Sequence, residues 1–321
     1  GIGHSLPDRI LTNFDFEEMV DTTDRWIVER TGIRERHIAA PEEAASDLAA
    51  EAGRRALADA DLDPKELDLI VVCTVTPDQP LPATAMFVQR VIGARSDCPA
   101  FDLVAACAGF IYGLSVADSF IRTEQARCVL VVGVEMLSRI IDYEDRSTSV
   151  LFGDGAGAAV VGPASGGGSG LVSTHIYADG AMAEALYIPA GGSRLPASEQ
   201  TVEERLHYVR MTGQDVFKFA VKRLSSATKT AISSNGLSVR DIDWVIPHQA
   251  NLRIIDAVSQ RSGIPRDRFY INIERVGNTS SASIPIALDE AVKAGTIEEG
   301  QNVIFCALGG GITWGSALVR W

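Results

Sequence analysis

The chain is short of cysteine, with five among 321 residues: Cys73, Cys98, Cys107, Cys128 and Cys306. They stand far apart, with no CxxC pair and no Cys/His ligand spacing. Neither a disulfide framework nor a zinc site is indicated, and a reducing, cytoplasmic setting is expected. No apolar run approaches the ~18 residues that span a bilayer, and no signal peptide opens the chain, so no membrane role is expected. Positive charge is also in deficit. With 29 Lys and Arg against 42 Asp and Glu, the net charge of −13 argues against nucleic acid as a partner. It leaves room for a local basic patch, because clustering rather than total charge decides what an acidic partner meets. A Walker loop and a dinucleotide-type GxGxxG are absent. The chain starts at Gly1, without Met, in the middle of what reads as a first strand, so a few preceding residues are expected.

What is present is a globular composition, 46% hydrophobic and 22% charged, on a chain long enough for a large core and two domains. Its organising stretch is FDLVAACAGFIYGL, Phe101 to Leu114. Phe101 to Val104 read as a buried strand, and Gly109 to Leu114 open an apolar helix. Between them a single thiol, Cys107, is flanked by alanines and Gly109. Small neighbours allow a tight turn and leave space beside the sulfur. A cysteine at a helix start also faces the positive end of the helix dipole, which favours thiolate. A lone Cys between alanines is more often a small buried hydrophobe. The strand-turn-helix context and the partners described below select the nucleophile reading.

Strand and helix patterns alternate along the chain. Ser46 is placed to cap a helix running to about Asp61, and Leu67 to Thr76 is a β-branched run suited to a parallel sheet. A Pro-rich loop, Pro77 to Pro82, leads to another helix. Asp21 to Arg36 is polar, and Trp26 beside Arg30, Arg34 and Arg36 would suit a nucleotide with phosphates as well as a solvated surface. Pro163 to Gly170, PASGGGSG, is the clearest linker. Beyond it the chain restarts. Gly213 to Ser234 show helical periodicity, and LSVRDIDWVI from Leu237 echoes LDPKELDLIV from Leu62, about 175 residues earlier. A strand is expected near Tyr270 to Ile273, and Asn302 to Ala307 and Trp314 to Val319 match earlier strands at Arg127 and Gly155. The expectation is an α/β protein of two related halves, residues 1–165 and 166–321, packed about a pseudo-twofold axis.

The second half supplies two turns with functional groups. His248 lies just after the strand ending at Ile246, where ligand sites of open α/β sheets gather. Asn278 occupies the exit expected from the next strand. Taken singly, His248 would be a structural histidine and Asn278 a turn residue. His4, His37, His175 and His207 compete less well as functional groups. Gly309-Gly310-Gly311 follows a strand and can offer an N–H to an oxyanion.

The segments CPAFDLVAACAGFIYGLSVAD, RTGIRERHIAAP, FGDGAGAAVV, VIPHQANLRI, GNTSSAS and GGGITWGSALVRW resemble those of the β-ketoacyl-acyl-carrier-protein synthase III family. The resemblance runs over essentially the whole chain. It implies a thiolase-like duplicated fold, five-layered α-β-α-β-α, and a homodimer that starts bacterial fatty-acid synthesis from acyl-CoA and malonyl-acyl carrier protein. By matching motif, Cys107 would take the acyl group, with His248 and Asn278 as partners and the N–H groups of Cys107 and Gly310 as oxyanion hole. Trp26 and Arg146 would hold the adenine of CoA, with Thr22 and Arg30 nearby. Gly213, Phe217, Ala250 and Asn251 would line the pantetheine tunnel. Lys218 and Arg253 would sit at its mouth for carrier-protein docking, and Leu81 would shape the acyl pocket. Asp102 receives no role. The reaction so implied needs no metal or redox cofactor.

Three alternatives compete. A thiolase would need a second cysteine nearer the C-terminal glycines than Cys306 and a histidine in place of the GNTSSAS turn. A starter synthase of a polyketide or other secondary-metabolite pathway shares every motif quoted. A non-catalytic acyl-binding scaffold would be expected to have lost Cys107, His248 or Asn278, and all three are present.

Overall fold

The computed structural model describes residues 1–164, 166 and 168–321. The predicted linker, Pro163–Gly170, includes Ser165 and Gly167, which lie outside the described residues. In chain order the first half runs β1 (Ile2–Ser5), β2 (Arg9–Thr12), α1 (Asn13–Met19), α2 (Asp24–Thr31), β3 (Glu35–Ile38) and α3 (Ala45–Asp59). It continues with β4 (Leu69–Cys73), α4 (Thr84–Ile92), β5 (Ala100–Leu103), α5 (Gly109–Arg122), β6 (Val129–Glu135), α6 (Arg146–Ser149) and β7 (Gly155–Val161). The second comprises β8 (Gly170–Ala178), β9 (Leu186–Tyr187), α7 (Glu199–Glu203), β10 (Arg210–Met211), α8 (Gly213–Ser233) and β11 (Trp244–Pro247). Then follow α9 (Leu252–Ser262), α10 (Ile273–Val276), α11 (Ser283–Lys293), β12 (Asn302–Gly309) and β13 (Thr313–Arg320).

Two sheets dominate. One has the order β1-β7-β6-β4-β5 and the other β8-β13-β12-β11, so four strands match in order and β5 is an extra edge strand of the first. In each, a parallel pair (β4 with β6, β11 with β12) is followed by two antiparallel pairings, and in the first sheet β5 adds a second parallel pairing to β4. The echo at Leu62 and Leu237 is also structural. Each is followed by a capped 3-10 turn, Pro64–Glu66 or Val239–Asp241, that feeds the parallel strand. Helices α3 and α4 cover the outer face of the first sheet, and α8 and α9 that of the second. Between the sheets lie α5 and α11, giving the five-layered duplicated thiolase-like architecture.

The central layer binds the halves together. Val71 and Val131 from one sheet, Ile246 and Phe305 from the other, and Phe110, Leu114, Ile284 and Leu288 from the middle helices form one buried apolar cluster. Gly133 allows the closest approach, since a Cβ there would stand 2.3 Å from the Ser281 carbonyl oxygen.

Several local expectations are corrected. The residue before the first turn of α3 is Ala44, not Ser46; the Asp47 carboxylate accepts the Ala44 N–H, while Ser46 bonds to Asp78. The strand expected at Tyr270–Ile273 is reduced to a single bridge between Phe269 and Val245, and Asn278 instead follows the short helix α10. Arg36 is not a surface cation. It is fully buried, stacked 4.5 Å over Phe16, and donates to the Asn13 side chain and the Val150 carbonyl. Asp102 does have a role: its carboxylate accepts the N–H groups of Thr84 and Ala85 and so caps α4.

Candidate active site

Cys107 sits where β5 passes into α5. Ala105 is extended in ψ no further than 27°, Ala106 takes a left-handed φ of 45°, and the 3-10 turn Ala106–Ala108 enters the helix at Gly109. The second half repeats this turn. Ser280 has φ 49°, a 3-10 turn covers Ser280–Ala282, and α11 begins at Ser283. The two turns pack against each other, so Cys107 has Ser281 as its positional counterpart. Gly309 at the end of β12 closes this arrangement from the third side. A Cβ there would meet the Cys107 backbone nitrogen at 2.5 Å.

His248 leaves β11 with its N–H bonded to the Cys306 carbonyl at 2.8 Å. Gln249 locks the turn, its N–H on Ser283 Oγ at 2.7 Å and its side chain spanning Pro247, Tyr270 and Asn272. The imidazole is buried and its Nδ1 has no partner among the described residues. Burial holds its pKa down to about 3, so the ring is neutral. Asn278 is fixed by its N–H on the Leu151 carbonyl and its carbonyl on the Gly153 N–H, each at 3.0 Å. Its side-chain oxygen accepts the Ser280 N–H at 2.9 Å, which turns the amide N–H groups the other way.

Three connected spaces run past the sulfur in series. An outer recess of about 490 Å³ is bordered by Trp26, Arg30, Arg146, Lys218 and Arg253. It shares Gly213, Phe217 and Asn251 with a narrow throat of about 120 Å³, whose floor carries Cys107, His248 and Asn278 and whose wall includes Ala250. Past Cys107, Phe152 and Leu186 the throat meets an apolar cavity of about 420 Å³, onto which Gly310 also faces. Cys107 is therefore common to the throat and the cavity. A narrow throat from the cationic outer recess leads to it, and one apolar chamber leads away.

Electrostatically, the site differs from the expectation of a preformed thiolate. Burial pushes the Cys107 thiol up to about 12, opposed by the Ser280 hydroxyl and its own backbone N–H. The resting nucleophile is a neutral thiol beside a neutral imidazole.

Of the residues named from sequence, the structure brings most together along this path. Two stand apart. Thr22 borders none of the three spaces; its hydroxyl is buried without a partner among the described residues, at the start of the segment leading into α2. Leu81, 83% exposed, lies on the surface loop before α4 and does not line the cavity of its own chain. Trp26 is already covered, with Arg146 4.8 Å and Arg30 5.6 Å from its ring centroid, so a base can enter between Trp26 and Arg146 only if they part. Sequence reading missed Ser280 and Glu135. Ser280 was legible as the counterpart of Ala106 in the repeated turn, and Glu135 as the one carboxylate ending a wholly apolar strand.

Comparison with known proteins agrees. Residues 101–180 match the family described as 3-oxoacyl-[acyl-carrier-protein] synthase III, and residues 232–321 its C-terminal counterpart. A β-ketoacyl-[acyl-carrier-protein] synthase III from Caldanaerobacter subterraneus subsp. tengcongensis is 54% identical, over all of this chain and 96% of the relative.

The chain belongs to the 3-oxoacyl-acyl-carrier-protein synthase III family.

The crystal structure of a synthase III from Aquifex aeolicus superposes on this one with a TM-score of 0.92 at 45% identity, covering 100% of this chain and 98% of that one. A priming β-ketosynthase from the R1128 polyketide pathway also superposes, with a TM-score of 0.91 at 38% identity over 99% and 94% of the two chains. As a synthase III the chain is an acyltransferase that forms carbon–carbon bonds. Among the described residues no cluster of three His, Cys, Asp or Glu could hold a metal ion, and no helix is long and apolar enough to cross a membrane.

Proposed function

We propose that this synthase III carries out the first condensation of bacterial type II fatty-acid synthesis in the cytoplasm, joining an acyl-CoA primer to malonyl-acyl carrier protein. The observation that carries the reading is the position of Cys107 between a throat that opens on a cationic outer recess and an apolar chamber beyond. CoA lies in the outer recess with its adenine at Trp26 and Arg146, which part to admit it, near Arg30. Its pantetheine arm follows Gly213, Phe217, Ala250 and Asn251 down the throat. The acyl chain passes the sulfur into the chamber.

Attack of Cys107 on the thioester carbonyl gives an acyl-enzyme and free CoA, splitting a hard condensation into two steps. The Cys107 and Gly310 N–H groups receive the oxyanion. Malonyl thioester then enters by the same throat, brought by a carrier protein whose acidic surface suits Lys218 and Arg253, both exposed at the rim. Loss of CO2 leaves an enolate whose oxygen accepts hydrogen bonds from His248 Nε2–H and the Asn278 amide. A neutral histidine is the right form here, because an imidazolium would quench the carbanion. The enolate attacks the acyl-Cys107 carbonyl, and the 3-oxoacyl product leaves on the carrier protein. Each step is complete with these side chains and backbone donors and calls for no added cofactor.

A homodimer fits the surface. Strand β5 is a sheet edge, and Val104 just beyond it is 76% exposed, as is Leu81 at 83%. A second copy covering this face would bring Leu81 within reach of the partner's chamber. We place the boundary between the halves in the 163–170 linker.

The test is formation of 3-oxoacyl carrier protein from acetyl-CoA and malonyl carrier protein. Cys107→Ala abolishes both acylation and product. His248→Ala and Asn278→Ala acylate but lose condensation by on the order of 10²–10³. Equal loss of both steps in the latter pair would reject the assigned roles. A starter synthase for a secondary metabolite is the second reading, favoured by the roughly 420 Å³ chamber. Comparison of acetyl-, isobutyryl- and octanoyl-CoA separates them, since tight preference for acetyl removes its support.

A further inference from the structure

Glu135 ends β6 with its side chain fully buried, and the condensation chemistry leaves it without a role. Its two carboxyl oxygens face different company. Oε2 accepts from the Thr76 hydroxyl at 2.8 Å, the Val75 N–H at 3.1 Å and the Thr74 hydroxyl at 3.4 Å. Among the described residues, Oε1 faces only the hydroxyls of Ser280 and Ser281, each at 3.1 Å. Both hydroxyls have another place to go. Ser281 reaches the Cys73 carbonyl at 2.8 Å, and Ser280 shares the wall of the apolar chamber with Cys107, in the turn packed against the Cys107 turn, where donation to the sulfur would favour thiolate.

A hydroxyl owns one proton, so it cannot serve both neighbours. If Glu135 is ionised, Oε1 draws the Ser280 proton, and Cys107 meets only lone pairs, which suit a thiol. If Oε1 carries a proton, the acid donates to Ser280, whose own proton then turns to the sulfur. That arrangement suits a thiolate, whether attacking or leaving. Oε2 is crowded by donors, which puts any proton on Oε1.

We propose that Glu135 is a positioning residue that, through Ser280, sets the hydrogen bond offered to the Cys107 sulfur, and that the enzyme is ready when this carboxyl is protonated. The proposal rests on Cys107 as the nucleophile. Burial pushes the Glu135 carboxyl up to about 7, so both forms are populated near neutrality. The other titratable groups facing the pair are Cys73 from β4, His248 across the throat, and Asp102, whose charge is felt at Cys73. Burial drives the Cys73 thiol well above the usual range and holds His248 at about 3. Both are thus neutral from pH 6 to 9.

The test is the rate of Cys107 alkylation by iodoacetamide, read from the Cys107 peptide by mass spectrometry at pH 6, 7 and 8.5. This readout needs no acyl-CoA, so it stands even if the primer chemistry proposed above fails. Glu135→Gln supplies a permanent donor to Ser280. It should match wild type at pH 6 and exceed it at least threefold at pH 8.5, beyond the common rise in both. Ser280→Ala should be at least threefold slower than wild type at pH 6, with the deficit fading by pH 8.5. In the Ser280→Ala background, Glu135→Gln should change the rate less than 1.5-fold. Equal effects of Glu135→Gln in both backgrounds would mean that Glu135 acts by its field alone and would overturn the proposal, as would a Gln variant identical to wild type throughout. If Glu135→Gln does not fold, Ser280→Ala decides alone: a deficit uniform with pH rejects the coupling.

Discussion

At the residue scale, the site is a set of groups kept neutral by burial. His248 shows this in its link to stability. Its folded pKa of about 3 lies below the unfolded value of 6.5, so the native state binds fewer protons between those limits. The contribution is fully present above pH 6.5 and is lost as pH falls toward 3, by up to about 1.4 kcal/mol per pH unit. Glu135 works in the opposite sense. Its folded pKa of about 7 lies above the unfolded 4.5, so its contribution is lost as pH rises from 4.5 to 7. Wild type should therefore show partly cancelling slopes between pH 4.5 and 6.5. In His248→Gln only the Glu135 slope survives. The stability difference between wild type and that variant should shift by about 2–3 kcal/mol across the window, in the variant's favour on acidification. Denaturant unfolding at pH 4.5, 5.5 and 6.5 checks it, and a constant difference would show His248 to titrate normally.

At the element scale, the nucleophile is held by three turns rather than by one helix end. Gly309 presses directly on the nucleophile's own turn, because the Cys107 backbone nitrogen occupies the space a side chain would take. Gly309→Ala should push the turn aside, costing about 1–3 kcal/mol of stability and at least tenfold in acylation rate. Gly180→Ala meets nothing within 4 Å and should leave both within error. If the two substitutions behave alike in stopped-flow acylation, the packing at Cys107 is not what sets its geometry. These turns also show what the sequence made legible. The repeated 3-10 turn and strand at Leu62 and Leu237 were readable because polar caps and apolar strands carry a local pattern. The exit at His248 was readable for the same reason. The strand expected at Tyr270 was not formed because its only partner is an edge contact with Val245, a pairing no local pattern encodes. Arg36 misled for a related reason: its guanidinium donates to the Val150 carbonyl and the Asn13 side-chain oxygen, acceptors distant in sequence. The acidity of Cys107 was misjudged because a helix start is visible in sequence and burial of the thiol is not.

At the scale of the whole molecule, the two halves are one folding unit. The central cluster takes residues from both sheets, and α5 and α11 have apolar neighbours on either side. Asn278 and Phe152 form a bridge between the halves at the site itself. Separating them would expose that layer to water at about 25 cal/mol per Å² of apolar surface. The chain should unfold in a single transition, with calorimetric and van't Hoff enthalpies agreeing and near- and far-UV circular dichroism coinciding. Two resolved transitions would show the halves to be independent. The convergence of the halves on one sulfur is tested most directly by peptide-resolved mass spectrometry after incubation with acetyl-, isobutyryl- and octanoyl-CoA. The account predicts a single acyl group, carried on Cys107 and absent from Cys107→Ala. An unmodified Cys107 with all three thioesters, or an acyl group on another side chain, would contradict it.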